Sequence, residues 1–342
     1  SGDSVRVDAS QGPAATIPAG AKLLQLRAEG TGHGTLEIAL QAQDLTEEPD
    51  VMDSYAQIDG FFARQQRIAN VLEQPQIHLR WETNGLQSEA TVTPQDRPIS
   101  SLPLLFWFQL VVSVTGCLIA CWVWVLRPRD WGARMFGLTG LLFPVFALPA
   151  AVYSGRELAV PGDLFFALNA LNHWGSVMFG AAFGAIFLVY PRLLVRPAHM
   201  AWLFAVFNLW WLTDVLRLAP SPAVGVQLSV IAEMLLAMGF AAVQWRKSWG
   251  HPLDRASLRW FTLSLMVGSG LFILLIITTA LLGWLAPMPQ GYAFGFFLFI
   301  YVGIALGLRR YRLFELDEWA FRMLLWLGGA LAVVAVDALL IL

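Results

Sequence analysis

From Leu104 to Leu342 the chain is a succession of apolar runs of about 20 residues, separated by short basic or Pro-containing stretches. A helix of that length crosses a hydrocarbon core of about 30 Å, at about 1.5 Å per residue. Lipid offers no partner to backbone N–H and C=O groups, so such runs fold as helices. We place eight, at 104–126, 135–154, 164–190, 201–217, 222–245, 260–284, 291–308 and 323–342. Composition agrees: of 342 residues, 57% are hydrophobic and 13% charged, against roughly 25% charged in an ordinary soluble domain. That excludes a soluble globular enzyme, a disordered chain and a nucleic-acid binder. The expected fold class is an α-helical polytopic membrane protein with about eight transmembrane helices and a small N-terminal α/β soluble domain.

The first hundred residues are different in kind. They carry fourteen acidic and seven basic side chains, a net −7, whereas the rest of the chain carries +5. Val5–Asp8, Lys22–Ala28, Leu36–Ala42, Gln76–Glu82 and Glu89–Thr93 are short, partly alternating runs that read as strands. Asp53–Gln74 repeats apolar residues at helical spacing, can be capped by Asp53 or Ser54, and is stopped by Pro75. Phe61, Ile68 and Leu72 of that helix are expected to pack on strands containing Leu24, Leu26, Ile38 and Leu79. The chain thus divides into a head and linker (1–100), a seven-helix bundle (101–308), and a basic linker with an eighth helix (309–342).

Basic residues set the expected orientation. One set of inter-helix loops holds thirteen Lys and Arg, among them Arg127, Arg192, Arg246 and Arg309; the other holds only Arg156 and Arg217. The positive-inside rule puts the first set in the cytoplasm and the acidic head outside. No pair of helices repeats a Gly/Pro-broken pattern, which weighs against a secondary transporter.

Polar groups inside a membrane are costly and default to functional hypotheses. Glu233 lies near the middle of the fifth run. Asn169, Asn172, His173 and Ser176 share one face of the third, at i, i+3, i+4 and i+7. The fourth run adds Asn208, Asp214 and Arg217, the second adds Tyr153, and the eighth adds Asp337. We expect a ligand cavity lined by Asn169, Asn172, His173 and Glu233, with Tyr153, Asn208 and Asp214 at its margin and His173 as partner to Glu233. The competing reading is that these groups only join helices by hydrogen bonds. Cys117 and Cys121, at i, i+4, read as a helix contact rather than a metal site. The only lysines, Lys22 and Lys247, lie outside the runs and exclude a retinal Schiff base. No phosphate loop, nucleophile elbow or zinc-hydrolase pattern is present, so no catalytic residue, metal or cofactor is expected.

Arg309-Arg310-Tyr311-Arg312-Leu313-Phe314-Glu315-Leu316-Asp317, after the seventh run, resembles the R-Y-R-L-F-[DE]-[IL]-D stretch of polytopic bacterial sensor histidine kinases of the ComP type. In the head, Gly12-Pro13-Ala14-Ala15 and Pro18-Ala19-Gly20-Ala21-Lys22-Leu23-Leu24, followed by a late helix and two strands, look like a PDZ-like domain, as extracytoplasmic heads of that group do. The resemblance implies a homodimeric, multi-pass protein of the bacterial inner membrane. Its implied function is quorum-sensing-like detection of a small-molecule, lipid-like or peptide signal. Arg310, Tyr311, Arg312 and Phe314 would then relay the signal to a cytoplasmic kinase beyond Leu342 and a response regulator. A secondary transporter, or a membrane scaffold with a peptide-binding head, stands as the alternative.

Overall fold

The computed structural model describes residues 4–29, 35–272, 274–275, 290–311, 322–323 and 326. The chain forms two compact units: residues 1–102 with 153–168, and residues 103–152 with 169–342.

In the first unit an antiparallel sheet is built from β1 (Val5–Arg6), β2 (Lys22–Glu29), β3 (Thr35–Ala39), β4 (Ile77–Thr83) and β5 (Leu86–Val92). The order β1-β2-β4-β5 runs across the sheet, and β3 pairs with the second half of β2. Alternation decides which face is buried: Ile77, Leu79 and Trp81 of β4 point into the core while His78 and Arg80 do not. On β2 the alternation is interrupted. Leu23 pairs with Trp81 and Gln25 with Arg80, so Leu24 is the extra residue of a bulge. The bulge leaves Leu23, Leu26 and Ala28 buried and Leu24 only half-buried.

Helix α1 (Tyr55–Leu72) starts at Ser54, whose hydroxyl accepts from the Gln57 N–H at 3.4 Å. Its inward face carries Ile58, Phe61, Phe62, Ile68 and Val71. Ile68 and Val71 join Leu23, Leu26, Leu79 and Trp81 in one core, with Leu158 and Ala159 packed against it. Arg64 of α1 engages both carboxylate oxygens of buried Asp44, and Gln65 donates to the Asp44 carbonyl at 2.9 Å. These bonds fix α1 against the loop before it.

The second unit is helical. Helices α2 (Leu104–Leu126), α3 (Trp131–Ser154), α4 (Gly162–Val189) and α6 (Leu228–Lys247, entered through a π-helical turn at Ala223–Gln227) bound the apolar runs closely. With them are α5 (Ala201–Val215), α7 (Pro252–Phe272) and α8 (Gln290–Tyr311). Between α3, α4 and α8 lies an aromatic core. Phe143 stacks on Tyr301 at 5.7 Å, Phe146 meets Phe179 edge-on at 5.2 Å, and Phe297 meets both Phe143 and Phe146.

The expectation of about eight transmembrane helices is overturned. Among the described residues four helices are long and apolar enough to cross a membrane: Leu104–Leu126, Trp131–Ser154, Gly162–Val189 and Ala223–Lys247. Helix α5 has 15 residues, roughly 22 Å at helical rise, short of a ~30 Å core. Helix α7 carries Asp254, Arg255 and Arg259 in its first two turns. The apolar stretch of α8, Gly291–Ile304, is short. The eighth expected helix, 323–342, lies outside the described residues except for Met323 and Trp326. The chain is a multi-span membrane protein with an N-terminal β-containing domain.

Candidate functional site

The α4 face expected from spacing is present, and Asn169, Asn172 and His173 are all buried on it. They separate into two connections. Asn169 Nδ2 meets His173 Nε2 at 3.2 Å, and His173 Nδ1 meets Asp214 Oδ2 at 3.1 Å. In the Nδ1–H tautomer the ring donates to the Asp214 carboxylate and its Nε2 accepts from the Asn169 amide. Asp214 is the second-last residue of α5 and is buried there. Asn172 instead donates to the Phe146 carbonyl of α3 at 2.8 Å. Asn208 accepts from Trp174 Nε1 at 3.0 Å. Asn172 and Asn208 thus tie α4 to α3 and α5.

Glu233 sits elsewhere on the same side of α4. It is 3% exposed, and its Oε1 has no hydrogen-bond partner among the described residues. Gly180 makes room for it: a methyl group there would overlap Glu233 Oε2. The carboxylate lines a cavity of about 50 Å³, together with Ser176 and Gly180 of α4 and the rings of Phe179, Phe183, Phe272 and Phe297. A cavity of this size holds a few water-sized groups. Ser176 and Gly180 continue the Asn169/Asn172 face by one and two turns, so extending the polar spacing C-terminally finds this lining in the sequence. The aromatic residues carry no such signal, because Phe is common throughout the bundle.

Tyr153 belongs to the first unit. There its hydroxyl donates to Glu48 Oε2 at 2.7 Å, and both side chains are buried. Arg156 completes the arrangement. Its guanidinium donates to the carbonyls of Tyr153 (2.6 Å), Thr46 (2.6 Å) and Asp44 (2.9 Å) and lies 5.0 Å above the Phe165 ring. Phe165 in turn meets Phe61 edge-on at 5.3 Å. Burial lifts the Glu48 carboxyl well above its ordinary range, and the negative charge of Asp50 adds to this; the Tyr153 hydrogen bond and Arg156 oppose it. Burial likewise holds Arg156 down to about 10, against the pull of Glu47 and Glu48. Arg97 adds a second clasp, donating to the Gly155 carbonyl and pairing with Glu157 at 3.1 Å. Neither Glu48 nor Arg156 stands out in the sequence, since their partners are about a hundred residues away.

Arg310 and Tyr311 close α8, while Arg312 and Phe314 lie outside the described residues, as does Asp337. The thiols of Cys117 and Cys121 lie 3.9 Å apart on one face of α2. Among the described residues no cluster of three or more His, Cys, Asp or Glu could hold a metal ion. No family model, no curated protein and no solved structure matches the chain.

Proposed function

We propose that the chain is the signal-receiving membrane region of a bacterial sensor kinase. Its head would lie outside the cytoplasm and its bundle would pass a change of state inward. One observation carries this reading: the compact head unit includes Tyr153–Leu168, which is the end of α3, the connection, and the first seven residues of α4. A change in the head therefore acts directly on the ends of two membrane-crossing helices, one of which carries the Asn169–His173 face. A ligand shifts such an equilibrium only by its differential affinity for two states, and a head built around helix ends supplies a means of having two. Thirteen basic residues against two support the orientation. The Arg309–Asp317 segment supports the kinase class of output.

Membrane vesicles carrying the complete gene product, supplied with ATP, test the reading. The expected result is phosphohistidine whose level changes in Tyr153→Phe and Arg156→Met at unchanged expression. No phosphohistidine removes the kinase; an unchanged level in both variants removes the coupling. Orientation is read with an impermeant thiol reagent on Thr91→Cys and His251→Cys in a background lacking Cys117 and Cys121. The reading expects the first to be labelled from outside and the second not.

A further inference from the structure

Among the described residues, Glu233 is the one charged residue lining a cavity whose other walls are Ser176, Gly180, four phenylalanines and four aliphatic side chains. Glu233 is almost wholly buried, and one oxygen finds no donor among the described residues. A buried carboxylate is stable only when it holds a proton or faces a positive charge with hydrogen-bond donors. Phe179, Phe183, Phe272 and Phe297 line the same cavity, and an aromatic ring attracts a cation to its negative face. These rings cannot donate to an oxygen anion.

The chemistry of the lining narrows the occupant. An anion is repelled by Glu233. A hard metal ion such as Ca²⁺ takes six or more oxygen ligands, whereas the side chains here offer one carboxylate and the hydroxyl of Ser176. A neutral apolar molecule would leave Oε1 without a partner. An alkylammonium ion satisfies every part: its N–H groups donate to Glu233 and Ser176, and its carbon atoms meet the rings. The cavity of about 50 Å³ exceeds the roughly 10–15 Å³ needed to hold one water-sized group, so a small ammonium group fits.

We infer that the cavity between α4, α6, α7 and α8 is a binding site for a small organic ammonium ion, with Glu233 as counter-ion and the phenylalanine rings as its cage. That this ion is the signal rests on the sensor reading above; that it binds does not. Gly180 keeps the α4 wall open to the carboxylate.

Isopropylammonium chloride is the probe, with isopropanol as its neutral isostere and sodium chloride as the salt control, on the full chain in nanodiscs. Thermal unfolding and the infrared carboxyl band are read together. Isopropylammonium is expected to raise the unfolding temperature and move one carboxyl band from the acid to the carboxylate position; the two controls do neither. Glu233→Gln abolishes both responses, and Phe183→Leu or Phe297→Leu weakens binding several-fold while the fold survives. An equal response to isopropanol overturns the proposal in favour of a plain apolar void. A response that persists in Glu233→Gln places binding elsewhere and also overturns it. A band that stays at the acid position makes Glu233 a proton site and overturns it too. Binding without any effect on phosphohistidine upholds this site and counts against the sensor reading, whereas phosphohistidine without binding does the reverse.

Discussion

Tyr153, one residue from the end of α3, donates a hydrogen bond from its hydroxyl to Glu48 Oε2 of the head at 2.7 Å, with both side chains buried. The two lie 105 positions apart in the chain. Removing the hydroxyl in Tyr153→Phe leaves a buried carboxyl without its donor, at a cost of about 1–3 kcal/mol. Faster amide exchange in α1 and β4 of the intact protein is the expected sign. Exchange limited to the last turn of α3 would show that the bond does not hold the head together.

The same pair sets a pH dependence. The folded-state value of Glu48 is raised above its ordinary 4.5 by burial first and Asp50 second. Between these two values the folded head holds a proton that the unfolded chain has released, so stability falls as pH rises through that window. Glu47, also raised by burial, adds the same sign. Glu48→Gln should flatten most of the slope and stabilise the head above the folded value. Exchange protection of the head, measured across pH 5 to 8 at a constant intrinsic rate, checks it. A slope unchanged in Glu48→Gln would assign it to another group.

Two glycines separate packing from propensity. At Gly162 a methyl group would overlap the Phe62 carbonyl of α1, which cannot yield as a side-chain tip can. Gly162→Ala should therefore destabilise the head by about 1–3 kcal/mol, the usual cost of overpacking. Gly60, on the open face of α1, has nothing within 4 Å of such a methyl. Gly60→Ala should stabilise α1 by about 0.5–1 kcal/mol through helix propensity alone. Protease susceptibility of the head in membranes should move in opposite directions for the two.

Local pattern made much of this structure readable. The Ser54 cap and the apolar spacing of α1 gave its limits to within two residues, and the run 104–126 coincides with α2. Local pattern failed where long-range contacts decide. Arg156 reads as a loop charge facing water, yet it is half-buried and donates to the carbonyls of Asp44 and Thr46, more than a hundred residues away. Tyr153 sits in an apolar run like any other aromatic residue, and only the fold assigns it to the head. The span count failed for a different reason. Apolar runs report burial, and a helix buried by protein is as apolar as one buried by lipid. In α5 the shortfall is one of length: it has 15 residues, and Trp202, Val206 and Leu209 stay exposed on it.

Geometry also separates His173 from Glu233, which polar spacing alone would pair. Both ring nitrogens of His173 are engaged, Nε2 by Asn169 and Nδ1 by Asp214. Glu233 lines the cavity beside Ser176 and Gly180, one and two turns further along α4. Double-mutant cycles distinguish the two arrangements. His173→Ala with Asp214→Asn should give a coupling energy of about 1 kcal/mol, within the range of polar contacts between membrane helices. His173→Ala with Glu233→Gln should add to within about 0.5 kcal/mol, as independent sites do. Unfolding of the intact protein in mixed micelles supplies the free energies. Strong coupling in the second cycle would join histidine and glutamate in one site, and the cavity ligand would then face an imidazole as well as a carboxylate.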